Sequence, residues 1–318
     1  MKFIEETPWF ICDRNDTNYC AYVDTDSNYF NAEPILKHLY PDFESFDDKK
    51  KDELLENVAL KYQDIITDYY NSFAKECFNA DEHRLEMKTE CVIRTAYFRA
   101  TRRYAQWITK EEGIKKDKLD IKGLEFQKAN FPPLLGKFFH KALVDVLKGE
   151  TQEEIDTRIK EFKKKIVDGT VPLSKLGNPT SVKQINKHQG KPAKAGEMFS
   201  KFKEVKNKAD KKLGAPAAVK AAVRYNDLIR FWKLDGKHNL IAQGEKIKWI
   251  YLKPNPYQLE ELAFLEYDMP EKIRIFLDEY ADRGKIFDSI LLNKLEGFYS
   301  DLEWNLNLNP YINQFFEV

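Results

Sequence analysis

Apolar and polar residues alternate in short runs at the start of the chain. Trp9-Phe10-Ile11-Cys12 and Tyr19-Cys20-Ala21-Tyr22-Val23 read as strands, with the polar turn Asp13–Asn18 between them. Asn28-Tyr29-Phe30 resumes the strand character after the polar tip Asp24-Thr25-Asp26-Ser27, so residues 19–30 predict a β-hairpin. From Asp47 to Phe78 the period lengthens. Leu54, Leu55, Val58, Tyr62, Ile65, Ile66, Tyr69 and Phe73 fall three and four residues apart, which predicts a helix packed on a sheet. Leu85 to Ile108 is rich in β-branched and aromatic residues and reads as two or three strands. Pro132-Pro133 opens a helix with Leu134, Leu135, Phe138, Phe139, Leu143, Val146 and Leu147 on its apolar stripe, and Gly149 ends it. Thr151 and Glu154 form a capping box for the next helix, which carries Ile155, Ile159, Phe162 and Ile166 inward. Further on, a helix over 217–234, a strand over 247–252 and two helices between Pro270 and Trp304 joined near Gly284 complete the reading.

Charge changes this picture locally rather than globally. The 318 residues include 52 Lys+Arg and 52 Asp+Glu, so the formal net charge is zero and by itself points to no nucleic-acid partner. Between Lys175 and Arg224, however, lysines such as Lys183, Lys187, Lys191, Lys194, Lys201 and Lys203 outnumber the acids Glu197, Glu204 and Asp210. Glycines and prolines break this stretch into predicted loops. Such a segment suits either a phosphate-backbone grip, where point charges suffice, or a solvated linker between subdomains. The lysine run Lys163–Lys165 also suits a solvated helix C-terminus. Cys12, Cys20, Cys77 and Cys91 show no Cys-x-x-Cys spacing, which argues against a zinc site and for a free-thiol cytoplasmic protein. No apolar run is long enough to span a membrane, and residues 1–12 lack a signal-peptide core.

The candidate chemistry lies at the hairpin tip. Side chains two apart on a strand share a face, so Asp24 and Asp26 are expected to converge there. One or two carboxylates are what Mg²⁺ usually takes from a protein, with waters and substrate phosphates filling the rest of its shell. Asp, Thr and Ser are also ordinary turn residues that bond their own backbone. Three stretches favour the metal reading. Tyr22-Val23-Asp24-Thr25-Asp26-Ser27 resembles the Tyr-Gly-Asp-Thr-Asp-Ser hairpin of the family B DNA polymerases. Thr101-Arg102-Arg103-Tyr104-Ala105 resembles that family's Lys-Lys-Arg-Tyr-Ala segment. Gly123-Leu124-Glu125-Phe126-Gln127-Lys128, followed by Pro132, is similar to its Gly-Leu-Glu-x-x-Lys/Arg…Pro segment, where palm gives way to thumb. Arg224-Tyr225-Asn226 and Leu252-Lys253-Pro254-Asn255-Pro256 also look like the thumb of the large tailed-phage members.

The resemblance implies an α+β fold: the C-terminal part of a polymerase palm over 1–122 and a largely helical thumb over 123–308. The thumb would carry a basic, loop-rich insertion over 170–216, with a tail over 309–318. It implies two Mg²⁺ ions, with Mn²⁺ as an alternative, held by Asp26 as the shared ligand and Asp24 as an outer ligand or electrostatic neighbour. Glu90 is a candidate supporting acid, or else a surface strand glutamate paired with Lys88 or an arginine. Primer and duplex contacts fall to Tyr22, Thr25, Ser27, Arg102, Arg103, Tyr104, Lys128 and Arg224. Gln314, Phe315 and Phe316 resemble a sliding-clamp contact, or fold back on their own domain.

Two family motifs are missing: Asp-x-x-Ser-Leu-Tyr-Pro-Ser, which brings the other metal-binding aspartate, and Lys-x₃-Asn-Ser-x-Tyr-Gly from the fingers. Val23 and Thr101 also replace a glycine and a lysine of the pattern. The expectation is therefore one piece of a split polymerase. Its partners would be primer-template DNA, deoxynucleoside triphosphates and an N-terminal chain supplying the missing motifs, in the cytoplasm of the host cell if the chain is phage-encoded. The alternative is a non-catalytic DNA-binding or clamp-tethering module that keeps the palm–thumb shape.

Overall fold

A computed structural model describes residues 19–305, except 25, 82, 130, 192, 195, 196 and 207–211, and gives the backbone alone at 212 and 213. The expected strand at 9–12, the turn at 13–18, Cys12, Thr25 and the tail with Gln314, Phe315 and Phe316 lie outside the described residues. The fold is mixed α+β, with small antiparallel sheets. The chain divides between Leu124 and Glu125 into two compact units, next to the change of domain expected after Lys122.

The first unit begins with the hairpin β1 (Cys20–Asp24) and β2 (Ser27–Phe30), in register Tyr22↔Tyr29 and Asp24↔Ser27. Helix α1 (Glu33–Leu39), absent from the periodicity reading, follows. It covers the hairpin with Ile35 and Leu36, which pack with Phe43, Leu54 and Val58 into a core bordered by Tyr19 and Phe30. Helix α2 (Asp48–Phe78) starts where the Asp47 carboxylate accepts the Lys50 amide at 2.8 Å. It stops at Asn79, a left-handed residue at φ +48°. A meander then runs β3 (Cys91–Ala100), β4 (Arg103–Glu111) and β5 (Ile114–Lys122), in the order β3-β4-β5.

The strand block begins later and extends further than the sequence suggests. Residues 85–90 form no strand, and Thr89 is instead tied to α2 through the Gln63 side chain at 2.8 Å. β5 escapes a propensity reading because Lys115, Lys116 and Lys118 dilute its apolar alternation. It is an exposed edge strand, where lysines discourage pairing with another chain.

The second unit opens with α3 (Pro133–Leu147), which buries Leu135, Phe139, Leu143 and Leu147 as its stripe predicts. The capping box of α4 (Gln152–Val167) forms in full, with Glu154 Oε2 accepting the Thr151 amide at 2.9 Å. Phe138 and Phe162 join the two helices by a parallel stack at 4.1 Å. A sheet in the order β10-β9-β6, from β6 (Asn178–Ser181), β9 (Lys246–Tyr251) and β10 (Glu261–Phe264), supports helix α7 (Ala217–Phe231). The one-turn helix α5 (Leu173–Leu176) comes just before β6, and between β6 and α7 lie a second one-turn helix, α6 (Ile185–His188), and the short hairpin β7 (Val205–Lys206) and β8 (Lys212–Leu213). Helices α8 (Glu271–Tyr280), α9 (Arg283–Phe287) and α10 (Asn293–Asp301) close the unit, with a π-helical turn at Asp288–Leu292 before α10.

Candidate functional site

The hairpin tip is placed by aromatic packing. Tyr22 and Tyr29 stand opposite each other on one hairpin face and meet Phe98 of β3 and Tyr104 of β4, with every ring pair between 5.2 and 5.8 Å apart. The Tyr29 and Tyr104 hydroxyls are hydrogen-bonded at 3.2 Å. Burial first, and then Tyr104, push the Tyr29 phenol above its ordinary value, so it stays neutral.

The same face brings the carboxylate of β1 to the β3–β4 turn. Arg102 takes a left-handed conformation at φ +60°, and its amide donates to the Tyr22 hydroxyl at 2.9 Å. The Tyr22 hydroxyl and the Arg102 Nε both lie 3.4 Å from Asp24 Oδ2. Gly123 closes on this turn from β5, with φ +66°. A Cβ there would stand 2.1 Å from the Arg102 carbonyl oxygen, so only glycine fits. Lys122 pairs with Tyr104 across β4–β5 and holds its ammonium 5.7 Å from that ring; the Tyr104 hydroxyl raises the lysine above its usual range. Tyr22, Asp24, Arg102, Arg103, Tyr104 and Gly123, spread over three sequence stretches, therefore lie at one end of the first unit.

Asp26 behaves differently from the expectation. β1 ends at Asp24, and Asp26 sits in the turn, where its amide donates to the Asp24 carbonyl at 2.8 Å. Strand alternation consequently does not decide its side. Asp24 faces the Arg102 turn, whereas Asp26 lines an open groove of about 320 Å³ with Val23, Asn28 and Phe30 of the hairpin and Tyr62 and Tyr70 of α2. Ser27 is spent locally, its hydroxyl donating to the Asp24 carbonyl at 3.2 Å.

Three other expected residues are not gathered here. Glu90 stands exposed at the end of β3 remote from the Arg102 turn, its carbonyl accepting the Glu112 amide at 2.7 Å. Among the described residues no three His, Cys, Asp or Glu side chains form a metal cluster, so Glu90 does not join the aspartates. Lys128 is exposed after a 3₁₀ turn at Glu125–Gln127 in the second unit.

Arg224, expected to touch DNA, is committed within the second unit. Its guanidinium lies between the Phe199 and Phe202 rings at 4.9 and 4.7 Å, and donates to the Ser200 carbonyl at 2.9 Å and to Asp227 at 3.1 Å. The buried Asp227 carboxylate also accepts the Ser200 amide and hydroxyl at 3.0 and 2.8 Å. This knot pins the lysine-rich segment to α7. The segment, expected as loops, is partly folded: β6 joins the sheet, Gln189 bridges Phe202, and the Lys203 amide donates to the His188 carbonyl at 2.8 Å. Lys183, Lys187, Lys191, Lys194 and Lys201 remain exposed on it.

Sequence reasoning missed Tyr29, Phe98 and Lys122. The strand positions of Tyr29 and Phe98 were legible, but which face met which partner was not, and Lys122 lies on β5, a strand the sequence reading did not reach. No helix among the described residues is long and apolar enough to cross a membrane. Compared with protein-family models and with curated proteins, the chain matches none.

Proposed function

We propose that the chain is the C-terminal subunit of a split DNA-directed DNA polymerase of the family B type. It would add deoxynucleotides to a primer 3′-hydroxyl, with release of pyrophosphate, once a second chain brings the missing aspartate and fingers. The observation that carries this reading is the meeting of the hairpin, the Thr101–Tyr104 turn and Gly123, the three stretches that resemble polymerase motifs, at one end of the first unit.

The donor set suits its share of a divalent-ion site, because Mg²⁺ needs only one or two protein carboxylates. Asp26 is the ligand of choice and Asp24 the outer neighbour, since Arg102 already engages Asp24 and competes with a cation there. When bound, such ions neutralise the charge that builds up during phosphoryl transfer. The chain's own residues orient the primer end. The backbone of Arg102, fixed by Tyr22 and Gly123, sets where the Arg102 and Arg103 side chains can meet sugar and phosphate, contacts that position without reading sequence. The pinned lysine segment adds a sequence-independent hold on duplex, and the tail over 314–316 is the proposed clamp contact. The reaction is placed in the cytoplasm.

The test is primer extension with Mg²⁺ by the chain alone and mixed with the chain that carries the missing motifs. Synthesis in the mixture only is expected. Asp26→Ala should abolish it while leaving assembly intact, and retained synthesis would remove Asp26 from the mechanism. Duplex affinity that falls steeply with salt, without synthesis in any mixture, would favour the non-catalytic tethering module instead.

A further inference from the structure

The C-terminal half of α2 keeps an aromatic surface open to solvent. Tyr69 stacks on Phe73 at 5.8 Å, Phe73 meets Phe78 edge-on at 5.5 Å, and Tyr69 leans on Tyr70 at 6.4 Å. Tyr70 and Tyr62 carry this surface into the groove that holds Asp26 and Val23, where Tyr62 stacks on Phe30 at 4.4 Å. Val23, Tyr69, Phe73 and Phe78 are 60%, 60%, 37% and 70% exposed. With about 150–250 Å² for a whole aromatic side chain, they leave on the order of 400 Å² of apolar surface open. That is within the range of the largest patches on monomers, which are often functional, and about half of the roughly 800 Å² that each partner buries in a specific interface. The groove walls extend it.

We infer that this face, from Val23 and the Asp26 groove along α2 to Phe78, is the docking surface for the chain that completes the site. The occupant is a polypeptide presenting an apolar face, with its own metal-binding aspartate delivered beside Asp26. The inference rests on the split-polymerase reading, and three features together point to that occupant. The patch supplies about half of the area that one partner buries in a specific interface, it runs without a break into the groove at Asp26, and the described residues supply no third carboxylate there. A DNA backbone is a poor fit to the α2 face, which offers rings and no cluster of cations.

The test mixes the full chain with the polypeptide from the same source that carries Asp-x-x-Ser-Leu-Tyr-Pro-Ser, and measures association by titration calorimetry and activity by primer extension. Tyr69→Glu/Phe78→Glu alters two exposed side chains, so its thermal unfolding should match the parent. Its association should weaken at least tenfold, and extension should fall at low partner concentration but recover at excess. Asp26→Ala should extend nothing even at excess partner, unlike the double variant. Backbone amides over 62–78 should also gain hydrogen-exchange protection when the partner is added. Unchanged association of the double variant, or no added protection over 62–78, would overturn the docking surface while leaving the polymerase reading intact. Association lost in the double variant without any synthesis by the parent mixture would support the surface and sink the polymerase reading. Self-association of this chain, abolished by the same substitutions, would assign the face to a second copy and overturn the inference.

Discussion

Gly123 shows how one residue can couple two strand ends. Its positive φ alone penalises any side chain, but Gly113, at φ +77° with open space around it, carries the same penalty without a clash. The difference between them isolates the close approach to Arg102. Gly113→Ala should cost about 1 kcal/mol, whereas Gly123→Ala should cost about 2–3 kcal/mol more, because the Arg102 carbonyl must move. Urea denaturation of the two variants measures this. Equal losses would mean that the approach of Gly123 does not hold the turn. The substitution should also reduce primer extension, since Arg102 donates its amide to Tyr22 and its guanidinium reaches Asp24. Glycine in this stretch was legible in the sequence as a motif residue. Its reason, a carbonyl oxygen from residues 21 positions earlier in the chain, required the folded sheet.

At the scale of elements, the lysine-rich segment is held by buried chemistry rather than by its own propensity. Two residues of α7 one turn apart, Arg224 and Asp227, both bond to Ser200, and the Arg224 guanidinium sits between the Phe199 and Phe202 rings. Removing the carboxylate strands the Ser200 hydroxyl and amide and leaves the Arg224 cation half-buried without its partner. Asp227→Ala should therefore destabilise the second unit by about 2–4 kcal/mol. The Ser200 amide should exchange faster with solvent, and duplex affinity should drop without loss of a single lysine. Unaltered exchange at Ser200 would show that the segment is held by something other than this knot. Local signals in this region, Gly, Pro and Lys, argued for loops. They gave no hint of the clamp, because its two halves are separated by the whole of the hairpin β7–β8.

For the molecule as a whole, pH offers a readout of burial in the second unit. Glu261 of β10 is buried, and burial raises its carboxyl above the ordinary glutamate range, with Lys220 at 3.7 Å opposing the shift. The folded state then holds this proton more tightly than the unfolded chain does. Its contribution to stability is complete below the unfolded value of about 4.3 and is lost as pH rises through the folded value. Glu261→Gln removes that dependence. The variant should gain thermal stability relative to the parent at pH 7–8 and lose the gain near pH 4. A parent and variant whose melting temperatures run parallel across this range would show that Lys220 cancels the burial cost.

What the sequence determined by itself is the set of elements whose signals lie within a turn or two of chain. Asp47 caps α2, Thr151 and Glu154 cap α4, Pro133 opens α3, and the polar tip between Val23 and Asn28 makes the hairpin. Each of these is settled by neighbours within about four residues, so spacing and residue type suffice. The tertiary structure alone decided the rest. It set the two aspartates in different surroundings, because one belongs to the strand and the other to the turn. It made a strand of lysine-rich 114–122 by giving it β4 as a partner, and turned Arg224 inward to Ser200. It also left the rings of α2 uncovered beside Asp26. These outcomes depend on which distant residues share a surface, and no period or propensity along the chain encodes that.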